Sequence, residues 1–213
     1  MTDEPLPDGR TRRADEGRRR VSEALVALVV ETGVMPDVAA VARRARVGRR
    51  SVFRYFDGVE GLEVETAREM RRTFTERVPL PEPAGSFEAR LAALALHRGD
   101  LYEAITPVRR FLDAARVRGN PPIDAIVDEG RAALRAHLSR MLAPELARRP
   151  GALVGADLAT SWEAWRALRE GQGLPVARAR AEITRVLQAL FAAPQTRRRQ
   201  PGRRQAGRAR SGS

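Results

Sequence analysis

Residues 33–62 read GVMPDVAAVARRARVGRRSVFRYFDGVEGL, and this stretch decides the fold. Its apolar spacing predicts a helix over residues 37–45 that begins at Asp37, a residue type that caps helix N-termini. Residues 46–48 are then predicted to form a short turn, and a second, very short helix follows over residues 49–56. Two short helices joined by a turn of three or four residues are the pattern of a helix-turn-helix.

The second helix of this pair carries basic side chains at its N-terminal end, where a recognition helix enters the major groove of DNA. Arg49, Arg50 and Arg54 are candidates for bidentate hydrogen bonds to guanine or for contacts to phosphate. Ser51 and Tyr55 are candidates for phosphate contacts, which position a protein on duplex without reading its sequence. The alternative is that residues 49–54 form a basic helix face that only meets solvent.

The same stretch also supplies the apolar contacts that such a unit needs. Ala42 and Ala45 are small enough for the two helices to approach each other, and Val47 is expected to fill the corner between them. The side chains expected to hold the recognition helix against the rest of the unit are Val52, Phe53 and Phe56.

Residues 33–62 resemble the DNA-binding domain of the TetR family of one-component transcriptional regulators, whose pattern is close to G-F-x-x-T-V-x-x-I-A-x-x-A-G-V-S-x-x-T-L-Y-x-H-F-x-s-K-E-x-L. The resemblance is specific over residues 17–65 and only architectural over residues 86–192. It implies a homodimer that binds a palindromic operator in double-stranded DNA, represses transcription and is released by a small-molecule effector. Matching or similar residues are Gly33, Val38, Val41, Ala42, Ala45, Val47, Ser51, Val52, Phe53, Tyr55, Phe56, Glu60 and Leu62.

Five departures from the family pattern bear on the turn and on the expected DNA contacts. Val59 stands in place of a phosphate-contacting lysine and Asp37 in place of a threonine, so some of the family's phosphate contacts are expected to be missing. The family's turn glycine is Arg46, which is expected to adopt a positive φ at a cost of about 1 kcal/mol. The family's N-cap serine is Gly48, a weaker cap, and its tyrosine is Phe53, which lacks the hydroxyl. Other basic residues are expected to compensate for the missing phosphate contacts. Besides the three arginines of the recognition helix, these are Arg18, Arg19 and Arg20.

The remainder of the chain also has helical apolar spacing, with Ala and Leu dominant, so the predicted fold class is all-α with about nine helices. An N-terminal three-helix helix-turn-helix domain is expected to precede a larger helical domain for ligand binding and dimerisation. The later helices are predicted at about 58–78, 86–98, 100–118, 122–142, 155–170 and 176–192. The predicted divisions are a disordered arm (1–15), the DNA-binding domain (16–60), the ligand-binding and dimerisation domain (61–193) and a disordered basic tail (194–213).

Two copies of the chain are expected to associate, because one short recognition helix reads few base pairs and two of them read a palindrome. The last two predicted helices each carry an apolar stripe that could form a four-helix interface between two subunits. Packing within a single chain is the alternative for the same residues. The proposed interface residues are Leu158, Trp162, Trp165, Ile183, Val186, Leu187, Leu190 and Phe191.

The resemblance further implies a pocket for an effector between the middle helices, whose occupation shifts the spacing of the two recognition helices. Aromatic side chains at helical spacing are more often core than pocket, so core packing is the alternative here. The candidate pocket residues are Phe74, Phe87, Leu94, His97, Tyr102, Phe111 and Trp162.

The net charge of +12 is concentrated at the two ends of the chain. Residues 10–56 hold twelve arginines against five acidic residues, and residues 194–213 hold seven arginines and no acidic residue. Residues 57–193 are close to neutral. Basic ends favour a polyanionic partner, most simply nucleic acid, and the alternative is that these ends are only solvated. A second reading is therefore a basic helical protein that binds RNA or anionic surfaces nonspecifically.

Composition and motifs argue against several other classes of protein. There is no cysteine, no apolar run long enough to span a membrane and no secretory signal, so a cytoplasmic location without membrane association is expected. Two histidines, neither three residues after a glutamate, do not suit a di-iron helical bundle, and no common catalytic motif occurs. We expect no enzyme activity, no cofactor and no metal site.

Overall fold

The computed structural model describes residues 9–56, 58–117 and 119–192, except for the side chains of residues 9–11 and Val59. Within these ranges the chain is helical and contains no strand, which confirms the all-α fold class. No helix among them has the length and apolarity required to cross a membrane. The first eight residues of the predicted N-terminal arm, and the whole of the predicted basic tail, lie outside the described residues.

Ten α-helices and one π-helical turn make up the described part of the chain, against about nine helices predicted. The first four are α1 (Gly9–Thr32), α2 (Val38–Ala45), α3 (Arg49–Tyr55) and α4 (Gly58–Arg77). The two long helices are α5 (Phe87–Val117) and α6 (Pro121–Met141). They are followed by α7 (Ala143–Arg148), α8 (Ala152–Ala159), α9 (Trp162–Arg166), the π-turn (Ala167–Gly171) and α10 (Val176–Phe191).

Helix α1 begins earlier than expected, so residues 9–15 of the predicted disordered arm are helical. This first part of α1 has no apolar periodicity that would reveal a helix in the sequence. The segment that follows it in α1 has ion pairs one turn apart, between Arg19 and Glu16 and between Arg19 and Glu23. Such pairs support a helix by only a few tenths of a kcal/mol each.

Helix α5 is continuous where two helices were predicted with a break near residue 99. Gly99 lies inside it for a packing reason, since a Cβ at this position would be 3.1 Å from the ring of Trp165. Pro107 also lies inside α5 and removes one backbone donor from the helix. Conversely, the single helix predicted over residues 155–170 is divided into α8 and α9 by a cap at Ser161, whose side chain accepts a hydrogen bond from the Ala164 amide.

The helices enclose two separate apolar clusters, which we call core 1 and core 2. Core 1 joins α1–α4 to the C-terminal half of α5 and the start of α6, whereas core 2 joins the other halves of α5 and α6 to α8–α10. Buried residues of core 1 are Val21, Ala24, Leu25, Val29, Val41, Ala42, Ala45, Val52, Phe56, Leu62, Ala67, Val108, Phe111, Leu112, Ala115, Ile123 and Val127. Those of core 2 are Leu91, Leu94, Ala95, Tyr102, Leu138, Met141, Leu142, Ala156, Trp162, Trp165, Ala179, Ile183 and Leu187.

Core 1 therefore extends beyond the helix-turn-helix, and two buried polar contacts reinforce this continuity. The Ser22 hydroxyl of α1 donates a hydrogen bond to Glu65 of α4 at 2.8 Å. The Asn120 side-chain amide, just before α6, donates to Glu63 of α4 at 3.2 Å. Helix α4 is thus tied on one side to the unit that carries α3 and on the other side to α6.

A buried cluster of three basic side chains fastens the connection between α4 and α5. His97 lies 3.3 Å from the carbonyl oxygen of Val78, and His137 lies 2.8 Å from that of Pro81. The Arg98 guanidinium, only 1% exposed, donates to Nδ1 of His97 at 3.0 Å. Because an arginine only donates, Nδ1 of His97 accepts, and the imidazole is neutral with its proton on Nε2.

Acid should destabilise the protein through this cluster before most carboxylates titrate. Burial, together with the nearby Arg98 charge, lowers the pKa of His97 from 6.5 to about 4 and lowers that of His137 in the same direction. The pKa of His97 is 6.5 in the unfolded chain and about 4 in the folded chain. Between these values the unfolded chain binds a proton that the folded chain does not, so the free energy of unfolding falls as the pH falls from about 6.5 towards 4. In urea denaturation, the free energy of unfolding should be lower at pH 5.5 than at pH 7.5, and His97 should account for about 1 kcal/mol of the difference.

The matched variant is His97→Gln, which keeps one donor and one acceptor but does not titrate. Its stability should fall less than that of the unmodified protein over the same pH interval. Equal losses in the two proteins would show that His97 is not held in its neutral form.

Candidate nucleic-acid interface

Helix α2 begins at the predicted cap. The Asp37 carboxylate accepts a hydrogen bond from the Ala40 amide at 2.7 Å, and this bond is the main cause that lowers the pKa of Asp37. Helix α2 ends at Arg46, which has φ 55° and ψ 48° and donates its amide to carbonyl oxygens of the preceding turn. The predicted positive φ at Arg46 is therefore confirmed.

Helix α3 is held by one side of its short surface. It begins after Gly48, whose carbonyl oxygen accepts the Ser51 amide at 2.9 Å and which offers no side-chain cap. Val52 and Phe56 are buried in core 1, and Val47 packs against the same cluster from the turn. Each side chain buried in this way contributes about 1.5–3 kcal/mol to stability.

The opposite side of α3 is exposed, as a DNA-reading face requires. Arg49, Arg50 and Arg54 are all exposed, and Ser51 is half-buried beside them. Phe53 is 53% exposed, so its expected role in holding α3 to the body is wrong. Helical geometry accounts for this, because Val52 and Phe56 are four residues apart on one face and Phe53 is turned about 100° away from Val52.

Phe53 is the residue that sequence reasoning missed as a part of this face. Its neighbours on the surface are cationic, and its ring is left in water in the folded chain. The major groove offers one apolar feature, the methyl group of thymine. The available signal was the four-residue spacing of Val52 and Phe56, which leaves Phe53 outside the buried face.

Tyr55 links α3 to the first helix. Its hydroxyl lies over Gly17, where a Cβ would be 2.5 Å from the phenol oxygen, so this close approach needs a glycine. The Arg54 guanidinium lies 5.5 Å from the centre of the Tyr55 ring. Tyr55 is half-buried, and its predicted contact with phosphate stays a prediction.

The three arginines predicted near the start of α1 are exposed but differ in their surroundings. Arg18 stacks on Phe56 of core 1, with its guanidinium carbon 5.3 Å from the ring centre, and so lies beside α3. Arg19 is paired with Glu16 at 2.7 Å and with Glu23 at 2.5 Å, which offsets much of its charge towards DNA. Arg20 is exposed on the same turn. We therefore expect Arg18 and Arg20 to contribute more to phosphate binding than Arg19.

The seven residues predicted to line an effector pocket lie in different parts of the fold, and the pocket stays a prediction. Leu94, Tyr102 and Trp162 are buried members of core 2, whereas Phe111 is a buried member of core 1. Of the other three, Phe87 packs against core 2 and lies edge-on to Phe191 at 5.9 Å, Phe74 is buried on α4, and His97 lies close to the Val78 carbonyl oxygen. None of the seven lines the large cleft between α4 and α6 that the structure does show.

Half of the residues predicted for the dimer interface are buried in the core of the single chain. Packing within one chain was the alternative given for these residues. Trp162, Trp165, Ile183 and Leu187 are buried in core 2 without a second copy. Trp162 is covered by the guanidinium groups of Arg109 and Arg166, whose central carbons lie 4.8 Å and 5.2 Å from its ring centre. The predicted residues that keep accessible surface are Leu158, Val186, Leu190 and Phe191.

Comparisons with known proteins identify the fold. No protein-family model matches the chain, and no curated protein matches its sequence. Among solved structures, a transcriptional regulator from Rhodococcus sp. Rha1 has a similar fold, with a TM-score of 0.63 and 19% sequence identity. The similarity covers 82% of this chain and 95% of the other. At this identity the likeness shows a fold that a transcriptional regulator also uses, and membership of the TetR family stays a prediction.

The positive φ at Arg46, in the turn between α2 and α3, can be tested by substitution. Arg46→Gly and Arg46→Ala both remove the guanidinium, but only glycine adopts a positive φ without a Cβ clash. Arg46→Gly should therefore have the higher free energy of unfolding, by about 1 kcal/mol, in urea denaturation. Equal stability of the two variants would mean that this turn carries no strain.

Proposed function

We propose that the chain is a DNA-binding transcriptional regulator that places α3 in the major groove of duplex DNA. The observation that carries the proposal is the two-sided build of α3: Val52 and Phe56 lie in core 1, and Arg49, Arg50 and Arg54 lie exposed on its other surface. Arg18 adds a cation at the edge of this face. The likeness in fold to a known transcriptional regulator supports the same class of function.

We further propose that the protein acts as a homodimer on a palindromic operator. An apolar face that no other described part of the chain covers lies on α8, where Val154 is 66% and Leu158 is 68% exposed. It is continuous with half-buried residues of α10, since Leu190 packs against Gly155. Two recognition helices held about 34–36 Å apart by such a contact would read two half-sites. Repression and release by a small-molecule effector, as the family resemblance implies, belong to this proposal.

The competing candidate is a basic helical protein that binds RNA or anionic surfaces nonspecifically. It is favoured by the high arginine content of the N-terminal region and of residues 194–213. It does not need the arginines of α3 to face outwards from a buried apolar side. Among residues whose placement is described, no three His, Cys, Asp or Glu side chains are grouped so that they could hold a metal ion. The absence of enzyme activity stays a prediction. A cytoplasmic location stays a prediction.

Selection of bound sequences from a random duplex pool, followed by titrations of the chosen duplex, tests the proposed reading of DNA. We expect each single substitution, Arg49→Ala, Arg50→Ala or Arg54→Ala, to weaken binding of the selected duplex. The loss should be about 1–3 kcal/mol where the side chain reads a base. This corresponds to a loss of about fivefold to 150-fold in affinity. Fluorescence anisotropy at fixed salt measures it.

The control is Arg185→Ala, which removes an exposed arginine of α10 that is paired with Glu182, far along the chain from α3. Its affinity should equal that of the unmodified protein. If all three α3 variants also bind like the unmodified protein, or if the pool yields no preferred sequence, the competing candidate is favoured.

The proposed dimer contact has its own test. Leu158→Glu places a charge in the exposed apolar face of α8, so we expect the dimer to dissociate to monomers at micromolar concentration. Leu96→Glu is the matched control, because Leu96 on α5 is also half exposed, at 52%, but lies outside this face. Analytical ultracentrifugation distinguishes the two variants. A dimer that survives Leu158→Glu, or a monomeric unmodified protein, contradicts the assignment of this face.

A further inference from the structure

A cleft of about 650 Å³ lies between α4 and α6, on the outside of core 1. A volume of this size is within the range of small-molecule sites in proteins. Its lining combines three apolar residues of α6 with charged residues of both helices. The lining residues are Arg68, Arg71, Arg72, Thr75, Glu76, Pro122, Ala125, Ile126 and Glu129.

One wall of the cleft offers cations for an anionic group. Arg68, Arg71 and Arg72 lie within about one turn of α4 and are all exposed. Arg72 is already paired with Glu69 at 2.5 Å and with Glu76 at 3.1 Å. Arg68 has no ion-pair partner among the described residues, so its charge is available to a ligand.

The Arg71 side chain closes one part of the cleft by an ion pair with Glu129 across it. Both side chains of the pair are more than half exposed. An ion pair this exposed contributes little to stability, so an incoming anion can replace Glu129 at small cost. Arg71 would then point both its charge and its planar donors at the ligand.

Apart from Glu129, the opposite wall, formed by α6, is apolar, and one of its residues packs against core 1. Ile126 is half-buried and packs against core 1, and Pro122 and Ala125 lie beside it on the first turns of α6. An alkyl or aryl group placed there would remove exposed apolar surface from water. The site therefore combines a cationic wall with an apolar floor.

We propose that the α4–α6 cleft binds a small amphiphilic anion, whose carboxylate or phosphate group lies between Arg68 and Arg71 and whose apolar body covers Ile126. Binding separates Arg71 from Glu129 and inserts a group between α4 and α6. Helix α4 is tied to α1 through Ser22 and Glu65 and follows directly after α3, so its displacement reaches the recognition helix. The role of this ligand as the effector rests on the proposed function, whereas its binding does not.

Isothermal titration calorimetry of the full chain with decanoate tests the site directly. Decanoate should bind in a one-to-one ratio, more tightly than 1-decanol, which lacks the charge, and decyltrimethylammonium, which has the opposite charge. Arg68→Gln and Arg71→Gln should each weaken decanoate binding about tenfold, the usual effect of losing one charge-assisted hydrogen bond. Arg185→Gln on α10 is the matched control and should bind like the unmodified protein.

Glu129→Gln provides a change in the opposite direction. Removing the carboxylate that competes for Arg71 should strengthen binding of decanoate but not of 1-decanol, whereas partial unfolding of a variant would strengthen binding of both. The proposal is overturned if the three ten-carbon probes bind equally, or if Arg68→Gln, Arg71→Gln and Glu129→Gln all bind decanoate like the unmodified protein. Such results would indicate adsorption of the alkyl chain alone.

Addition of decanoate to the complex with the selected duplex separates this inference from the proposed function. Release of duplex by the unmodified protein, but not by Arg71→Gln, supports the effector role. If the chain binds decanoate but selects no duplex, the inferred site is supported and the proposed function is contradicted. If the chain binds a selected duplex but does not bind decanoate, the proposed function is supported and the inferred site is rejected. Decanoate binding that leaves duplex affinity unchanged overturns the effector role.

Discussion

The burial of Val52 and Phe56 in core 1 is the contact on which the proposed reading of DNA depends. Helix α3 has only seven residues, and a helix this short is not stable in water on its own. It also begins at a glycine without a side-chain cap and carries three arginines on one face, which repel one another. Tertiary packing therefore supplies its stability, and the same packing turns the arginines and Phe53 outwards.

Core 1 is shared between the helix-turn-helix and the rest of the chain. Helices α4, α5 and α6 all contribute to it, and α5 continues from core 1 into core 2 without a break. The orientation of α3 is consequently set by contacts made well outside the motif, including the polar contacts of α4 with Ser22 and Asn120. A change in the packing of α4 against α6 therefore acts on the core that holds α3.

Signals that depend on neighbouring residues were predictable from the sequence, and those that depend on distant residues were not. The cap at Asp37, the positive φ at Arg46 and the exposed arginines of α3 follow from local chemistry and helical spacing. The glycine at position 99 inside α5 is explained by Arg180 and Trp165, which approach it from other helices. An apolar stripe cannot show whether it faces its own chain or a second copy, and half of the residues predicted for the dimer interface are buried in core 2 of the single chain.

Hydrogen–deuterium exchange of the full chain, with and without the selected duplex, tests the central claim most directly. If α3 lies in the major groove, DNA should slow amide exchange in residues 46–56 and in the adjoining part of α1 near Arg18, because duplex covers these segments and restrains their opening. Exchange in α5 away from core 1 should change little. Slowed exchange confined to α6–α10, or unchanged exchange in α3 when the duplex is saturating, would contradict the account.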